Sequence, residues 1–322
     1  MGKEVVSPLV SIICNTYNHV NYIRQCLDGF LMQETNFPIE ILVHDDASTD
    51  GTADIVREYE DKYPDLIKPI YQTENQYSKG VKVSLKYQYS RAQGKYIALC
   101  EGDDYWTDPL KLQKQVDLLE NNQDCVMCSS SYKIYNQLTN QYSNPRLNYG
   151  LGEYTLDNLI LGDWLFHPLT VIFKRSVLDI CDLTKYKRIV DLILFYELLN
   201  HGGKGLFLSD VTAVYRLHDS GIWSRIHYAA KRQFEFDVRF DVYEVNKSLE
   251  AAVLLTSQLQ KPLSRKWLLT NLGILVKLFG ILLRHLGCLP TLSIICSKVF
   301  FSKTPDRKKI ETLLAQIGSK SK

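Results

Sequence analysis

Glu101, Asp103 and Asp104 stand within four residues of one another, with Gly102 among them, directly after the apolar run Tyr96-Ile97-Ala98-Leu99-Cys100. Three carboxylates held this closely repel one another unless a cation sits between them. Oxygen ligands of this kind suit Mg²⁺ or Mn²⁺, which bind a few carboxylates together with substrate phosphates. The competing reading is a solvated acidic turn leading into a helix, with Asp108 at its cap and Pro109 in its first turn.

The elements around this loop favour the chemical reading. A short apolar run that ends in a glycine-containing turn predicts a buried strand of a parallel sheet, and α/β folds place ligands at the carboxyl ends of such strands. Two earlier strands end in the same manner. Leu9-Val10-Ser11-Ile12-Ile13-Cys14 runs into Asn15-Thr16-Tyr17-Asn18, and Ile39-Glu40-Ile41-Leu42-Val43 feeds His44-Asp45-Asp46. A third strand is predicted over 66–71, and helices over 20–33, 52–63 and 81–92. This β-α alternation with short connections predicts a mostly parallel sheet flanked by helices. Its polar strand ends then open onto a single crevice.

Taken together, Val10-Ser11-Ile12-Ile13 with Thr16-Tyr17-Asn18, then Asp45-Asp46-Ala47-Ser48-Thr49-Asp50-Gly51-Thr52, then Glu101-Gly102-Asp103-Asp104, resemble the family 2 glycosyltransferases. The resemblance extends over about residues 7–225. It implies an α/β fold of the GT-A type, a nucleotide-diphospho-sugar donor, a divalent cation (Mg²⁺ or Mn²⁺) and inversion at the anomeric carbon. By similarity, Asn15, Thr16, Tyr17 and Asp46 hold the nucleoside, while Asp103 and Asp104 match the acidic pair that binds metal and sugar. Many relatives carry Asp where this chain has Glu101.

Further along, a strand is predicted over 125–135, a polar loop over 136–152, a helix over 154–161 and a strand over 169–173. His167 is either an acceptor contact or a turn histidine that satisfies backbone groups. A helix is predicted from Asp191 to Asn200, with Leu192, Phe195, Tyr196 and Leu199 on one face. Capping alone favours Asp at a helix start. The family, however, carries its catalytic Asp at a helix start in this region, so the resemblance makes Asp191 the base. Two strands are predicted over 205–208 and 212–217, closing in Tyr215-Arg216-Leu217-His218. That element recurs in the family and implies that Arg216 or His218 reaches the diphosphate or metal.

Bulk properties set the frame. At 322 residues, 45% hydrophobic and 23% charged, this is a folded globular chain. Cys14, Cys26 and Cys100 lie in apolar patterns, as does the Cys125-x-x-Cys128 pair, which lacks the second pair a zinc site needs. Met1 to Pro8 has no apolar leader segment, which predicts a cytoplasmic catalytic domain. The net charge of +2 is unevenly spread: twelve basic and two acidic residues fall in 261–322, against 26 basic and 34 acidic before them. A C-terminal helical extension over 226–322 is therefore predicted, starting with a long helix over 226–260. Its apolar runs are interrupted by Lys277, Arg284 and Lys298 and fit helices lying on an anionic membrane surface at the inner face of the cell membrane. A helical module that forms a homodimer competes for the same segment. The acceptor expected is a saccharide or lipid-linked hydroxyl in bacterial cell-surface polysaccharide or lipopolysaccharide synthesis. Nucleic acid is not an expected partner, since the basic tail is interleaved with aliphatic residues and lacks a recognition motif. A nucleotidyltransferase would need a glycine-rich phosphate loop after the first strand, which Asn15 to His19 do not provide. A chain that only binds a sugar nucleotide, or scaffolds a partner transferase, is the remaining alternative.

Overall fold

The computed structural model describes residues 7–145, 152–160, 166–201, 203–257 and 272–286. The chain forms two compact bodies, one from residues 1–156 and 164–225, the other from 157–163 and 226–322.

The first body is built on one mixed sheet. Its strands are β1 (Val10–Thr16), β2 (Ile39–Asp45), β3 (Ile67–Tyr71), β4 (Tyr96–Leu99), β5 (Tyr105–Trp106), β6 (Cys125–Asn136), β7 (Gln141–Ser143), β8 (Glu153–Tyr154), β9 (Ile172–Lys174) and β10 (Lys204–Leu217). The order is β3-β2-β1-β4-β9-β6-β10-β5, with β7 added beside β6 and β8 beside β10. The first four of that order run parallel, as do β6 and β10. β9 is antiparallel to both its neighbours, β4 and β6, and so joins the two parallel parts.

β1 shows why the parallel part is central. Val10, Ile12, Ile13 and Cys14 are all buried, so the strand is covered on both faces. Register then aligns the polar strand ends: Thr16 pairs with Asp45, and Ile13 with Leu99. The pairing continues past the strand, with Cys100 N–H donating to Ile13 O and Gly102 N–H to Asn15 O. The acidic loop thus begins as an extension of the sheet. α1 (Ile23–Leu31) and α2 (Thr52–Lys62) follow β1 and β2. α3 (Lys111–Asn121), α5 (Asp191–Asn200) and α6 (Ile222–Arg225) come later, while α4 (Leu156–Ile160) belongs, but for Leu156, to the second body. Cys14, Cys26, Cys100, Cys125 and Cys128 are buried free thiols packed as small apolar groups.

Several elements differ from the sequence expectation. The helix expected over 81–92 is a wide π-type turn at Ser84–Tyr89. The helix expected over 154–161 splits into β8 and the short α4. The strand expected over 169–173 starts with a 3₁₀ turn at Pro168–Thr170, so only Ile172–Lys174 pairs. The two late strands are one, β10, whose register shifts between Leu208 and Ala213 absorb the polar Ser209-Asp210 step. α3 starts at Lys111, because Asp108 spends its Oδ1 on Leu110 N–H at 2.9 Å.

The second body contains α7 (Tyr228–Asn246), α8 (Leu249–Ser257) and α9 (Leu272–Leu286). The single helix expected over 226–260 breaks at Lys247, whose φ of 51° no α-helix accommodates. Among the described residues no helix is long and apolar enough to cross a membrane. Residues 258–271 and 287–322, which carry most of the basic tail, lie outside the described residues.

Gly94 marks where the sheet has no room. A Cβ there would lie 2.6 Å from Ser11 N and 2.8 Å from Tyr96 O, both backbone atoms of adjacent strands. Gly94→Ala is expected to cost about 1–3 kcal/mol, the usual range for overpacking. Urea unfolding reads this directly, and a loss near zero would mean that β1 and β4 do not close on each other here.

Candidate active site

The loop after β4 separates its three carboxylates. Asp104 turns inward, 4% exposed, and its Oδ1 accepts the backbone N–H of Arg216 at 2.7 Å. Asp103 turns the other way: its Oδ2 lies 3.1 Å from His218 Nε2 and 3.8 Å from His19 Nε2. His218 Nδ1 is in turn 2.7 Å from Ser220 Oγ. Burial opposes the ionisation of Asp103, but the His218 hydrogen bond and the two imidazoles hold it below the usual carboxylate range. Burial lowers His19 against the pull of Asp103, which favours a neutral ring able to lend a lone pair.

Arg216 locks the end of β10 to this loop across more than a hundred residues of sequence. Its Nε donates to Asp103 O at 2.9 Å and its Nη2 to Gln25 Oε1 at 2.7 Å. The guanidinium lies between the rings of Tyr22 and Tyr105, 4.9 and 5.0 Å from their centres. Gly102 gives the loop its path. A Cβ there would sit 2.7 Å from Thr16 Oγ1 and 3.0 Å from His19 Nδ1.

Glu101 and Asp191 share an unusual position. Each keeps solvent-accessible surface, yet the surrounding protein strips hydration from its charge. That loss of hydration, then the charges of Asp103 and Asp191, push Glu101 up to about 8. The same loss of hydration pushes Asp191 up to about 6, against the pull of its own backbone N–H. Tyr89 feels the charges of both Asp191 and Glu101, and Tyr215 those of Asp104, Asp103 and Asp191. The start of α5 and the loop after β4 therefore lie near enough for their charges to act on the same groups. Val190, not Asp191, occupies the cap position of α5.

The remaining residues singled out in the sequence are placed as follows. Asn15 Nδ2 reaches Ser84 Oγ at 3.1 Å and Glu101 Oε1 at 3.4 Å. Thr16 is buried with its Oγ1 3.2 Å from His19 Nδ1. Tyr17 is 43% exposed. Asp46 is 5% exposed, and both its oxygens already accept backbone N–H groups, of Gln76 at 2.7 Å and Tyr77 at 2.9 Å. It shapes the 75–77 turn. His167 is a turn histidine that satisfies a backbone group: it caps the turn at Pro168–Thr170, with Nδ1 3.3 Å from Leu169 N. Burial pushes its ring down to about 4. His19 and Gln25 were missed. His19 had a signal, since it closes the polar run that begins at Asn15; the link from Gln25 to Arg216 had none.

Residues 11–180 match the family model described as Glycosyl transferase family 2. The chain belongs to that family. Among its relatives, an uncharacterized protein of Mycobacterium tuberculosis is 37% identical over 228 residues, 70% of this chain and 63% of the relative. The putative teichuronic acid biosynthesis glycosyltransferase TuaG of Bacillus subtilis is 31% identical over 230 residues, 70% of this chain and 85% of TuaG. The family 2 chain also has the GT-A glycosyltransferase fold. Residues 1–349 of S. aureus TarS, solved in complex with UDP-GlcNAc, superpose with a TM-score of 0.63 at 20% identity, covering 90% of this chain and 84% of that one. The mannosyltransferase PcManGT of Pyrobaculum calidifontis, solved in complex with GDP-Man and Mn²⁺, gives 0.56 at 19% identity, covering 97% and 86%.

The inward turn of Asp104 can be tested without substrate. Burial, then the charge of Asp103, raise its carboxyl well above the usual range, so the fold disfavours the ionised form. Ionisation therefore removes stability as pH rises from about 4, the unfolded value. Asp104→Asn keeps an acceptor without the charge. In chelator-treated protein, its stability relative to the parent is expected to increase between about pH 5 and about pH 8. Asp104→Ala leaves Arg216 N–H unpaired and is expected to lose about 1–3 kcal/mol. Urea titrations at the two pH values decide; an Asn variant as weak as the Ala variant at the higher pH contradicts the assignment.

Proposed function

We propose that this chain is an inverting, metal-dependent glycosyltransferase that moves a sugar from a nucleotide-diphospho-sugar to a hydroxyl of a saccharide or lipid-linked acceptor. The observation that supports the reading is that the charges of both Asp103 and Asp191 act on Glu101, so the helix start and the acidic loop lie within electrostatic reach of each other. Family membership supports the reaction class. The complexes of TarS with UDP-GlcNAc and of PcManGT with GDP-Man and Mn²⁺ support a nucleotide-diphospho-sugar donor and a divalent cation. The name of TuaG supports a cell-surface polysaccharide setting.

Asp103 Oδ2 and His218 Nε2, 3.1 Å apart, are of types that ligate a cation, and His19 Nε2 lies 3.8 Å from the same oxygen. This mixed set admits Mn²⁺ more readily than Mg²⁺, which favours oxygen ligands throughout. Asp103 and His218 would hold the ion, with His19 beside them; Asp104, committed to Arg216, would position the loop. When bound, the ion supplies electrostatic stabilisation of the departing diphosphate. Asn15, Thr16 and Tyr17 line the ends of the parallel strands and would receive the nucleoside, with Asp46 setting the turn beside it.

Chemistry at the sugar needs a base on the face away from the diphosphate. As the acceptor oxygen bonds to the anomeric carbon, the bond from that carbon to the diphosphate oxygen breaks. The hydroxyl proton passes to an Asp191 carboxylate oxygen. Such base catalysis contributes about 10²–10⁴-fold.

Screening a panel of nucleotide sugars identifies the donor, and Asp191→Asn then tests the assignment. Transfer is expected to fall by about 10²–10⁴-fold with donor affinity unchanged; turnover near that of the parent removes Asp191 from the mechanism. The pH dependence is a separate check. An Asp191 that titrates near about 6 must lose its proton to act, so kcat/KM should climb as pH rises through that value. A profile flat from about pH 5 to about pH 7 would assign the base elsewhere.

A further inference from the structure

A second group of metal-ligand types lies at the other end of α5 from Asp191. Cys181 follows the 3₁₀ turn at Arg175–Asp179, while Glu197 and His201 occupy the last turn of α5 and the residue after it. One ligand atom from each lies within 4.8 Å of the other two. Glu197 Oε2 and His201 Nε2 are 3.2 Å apart. Cys181 and Glu197 are 7% and 5% exposed, whereas His201 reaches solvent.

We propose that Cys181, Glu197 and His201 form a zinc site that ties the irregular segment after β9 to the carboxyl end of α5. A thiolate, an imidazole and a carboxylate are the ligands zinc combines, whereas Mg²⁺ and Mn²⁺ favour oxygen. Ligands around a tetrahedral zinc at ~2.0–2.3 Å stand about 3.3–3.8 Å from one another, so the cluster has to contract only slightly. Glu197 and His201 are four residues apart, the spacing that aims two helical side chains at one ion. The Tyr186 hydroxyl donates to Glu197 Oε1, the kind of outer hydrogen bond that orients a ligating carboxylate and leaves Oε2 for the ion. Exposure at His201 provides the path of entry and a fourth position for water. On binding, the sulfur–zinc bond replaces the S–H bond and the proton leaves to solvent.

The site's role follows from its place on α5. Glu197 is six residues from Asp191, about 9 Å along the helix axis, so the ion would fix the helix that carries Asp191. It is structural, and distinct from the proposed catalytic cation in chemistry, since no thiol reaches Asp103 in the described contacts.

Cobalt titration of the full-length, chelator-stripped protein tests this. One equivalent of Co²⁺ is expected to produce intense near-ultraviolet thiolate-to-cobalt absorption that Zn²⁺ abolishes and excess Mg²⁺ does not. Cys181→Ser should remove the band. His201→Ala should weaken binding by at least the ~10–100-fold that loss of an outer partner costs. An absent band in the parent, or one that survives Cys181→Ser, overturns the proposal: the three residues are then a hydrogen-bonded network only. Should circular dichroism show Cys181→Ser unfolded, the more exposed His201→Ala decides, and unchanged cobalt affinity in it is equally fatal.

Discussion

Like charges confined at the end of β4 have to be separated, paired or protonated, and this chain does a different one of these for each carboxylate. Asp104 is turned into the protein onto a backbone N–H, Asp103 is paired with imidazoles, and Glu101 is left exposed with its carboxyl pushed up to about 8. Each solution recruits a distant segment. Arg216 and His218 have to arrive at the far end of a 14-residue strand, so β10 must be long and must tolerate bulges on the way. Thr16 and His19 have to close over Gly102, where no side chain fits.

The two parallel parts of the sheet divide the labour. The β3-β2-β1-β4 part brings the polar ends of three strands to one edge, in the register that places Asn15 alongside the acidic loop. The β6–β10 pair brings the basic and imidazole groups that offset the carboxylates. β9, three residues long, lies between and antiparallel to both, and Trp106 Nε1 is anchored nearby on Leu169 O at 2.8 Å. α5 begins with Asp191, whose charge acts on Glu101 in the loop after β4. The arrangement of negative charge facing negative charge is stable only with hydration, protons or a cation between, and that is the physical basis of the proposed donor site.

What the sequence disclosed, and what it withheld, follows from the range of the interactions involved. β1, β2 and β4 were legible because their burial is local and continuous; α5 was legible as a helix, but the single apolar face expected of it is not what is seen, since every residue from Leu192 to Leu199 is buried. The family motifs carried the fold class, which the superpositions on GT-A glycosyltransferases bear out. The antiparallel insertion of β9 was not legible, since strand direction depends on partners 44 to 78 residues away. Nor was the role of Asp46 in holding the amides of Gln76 and Tyr77, because an acidic residue at a strand end looks the same whether it faces ligand or backbone. The break at Lys247 escaped for a related reason: a polar residue in a charged amphipathic run carries no sign of a positive φ. Cys181, Glu197 and His201 were invisible as a group because a helix and an irregular turn bring them together.

The central claim is that the strand ends and Asp191 form one donor site around Asp103. Anomalous diffraction at the manganese edge, from crystals grown with Mn²⁺ and the donor identified by screening, measures it most directly. The account predicts a manganese peak bound to Asp103 and adjoining His218, with the diphosphate on it and Asp191 on the opposite face of the sugar. A peak held by other residues, or a donor bound with Asp191 remote from its anomeric carbon, would contradict it.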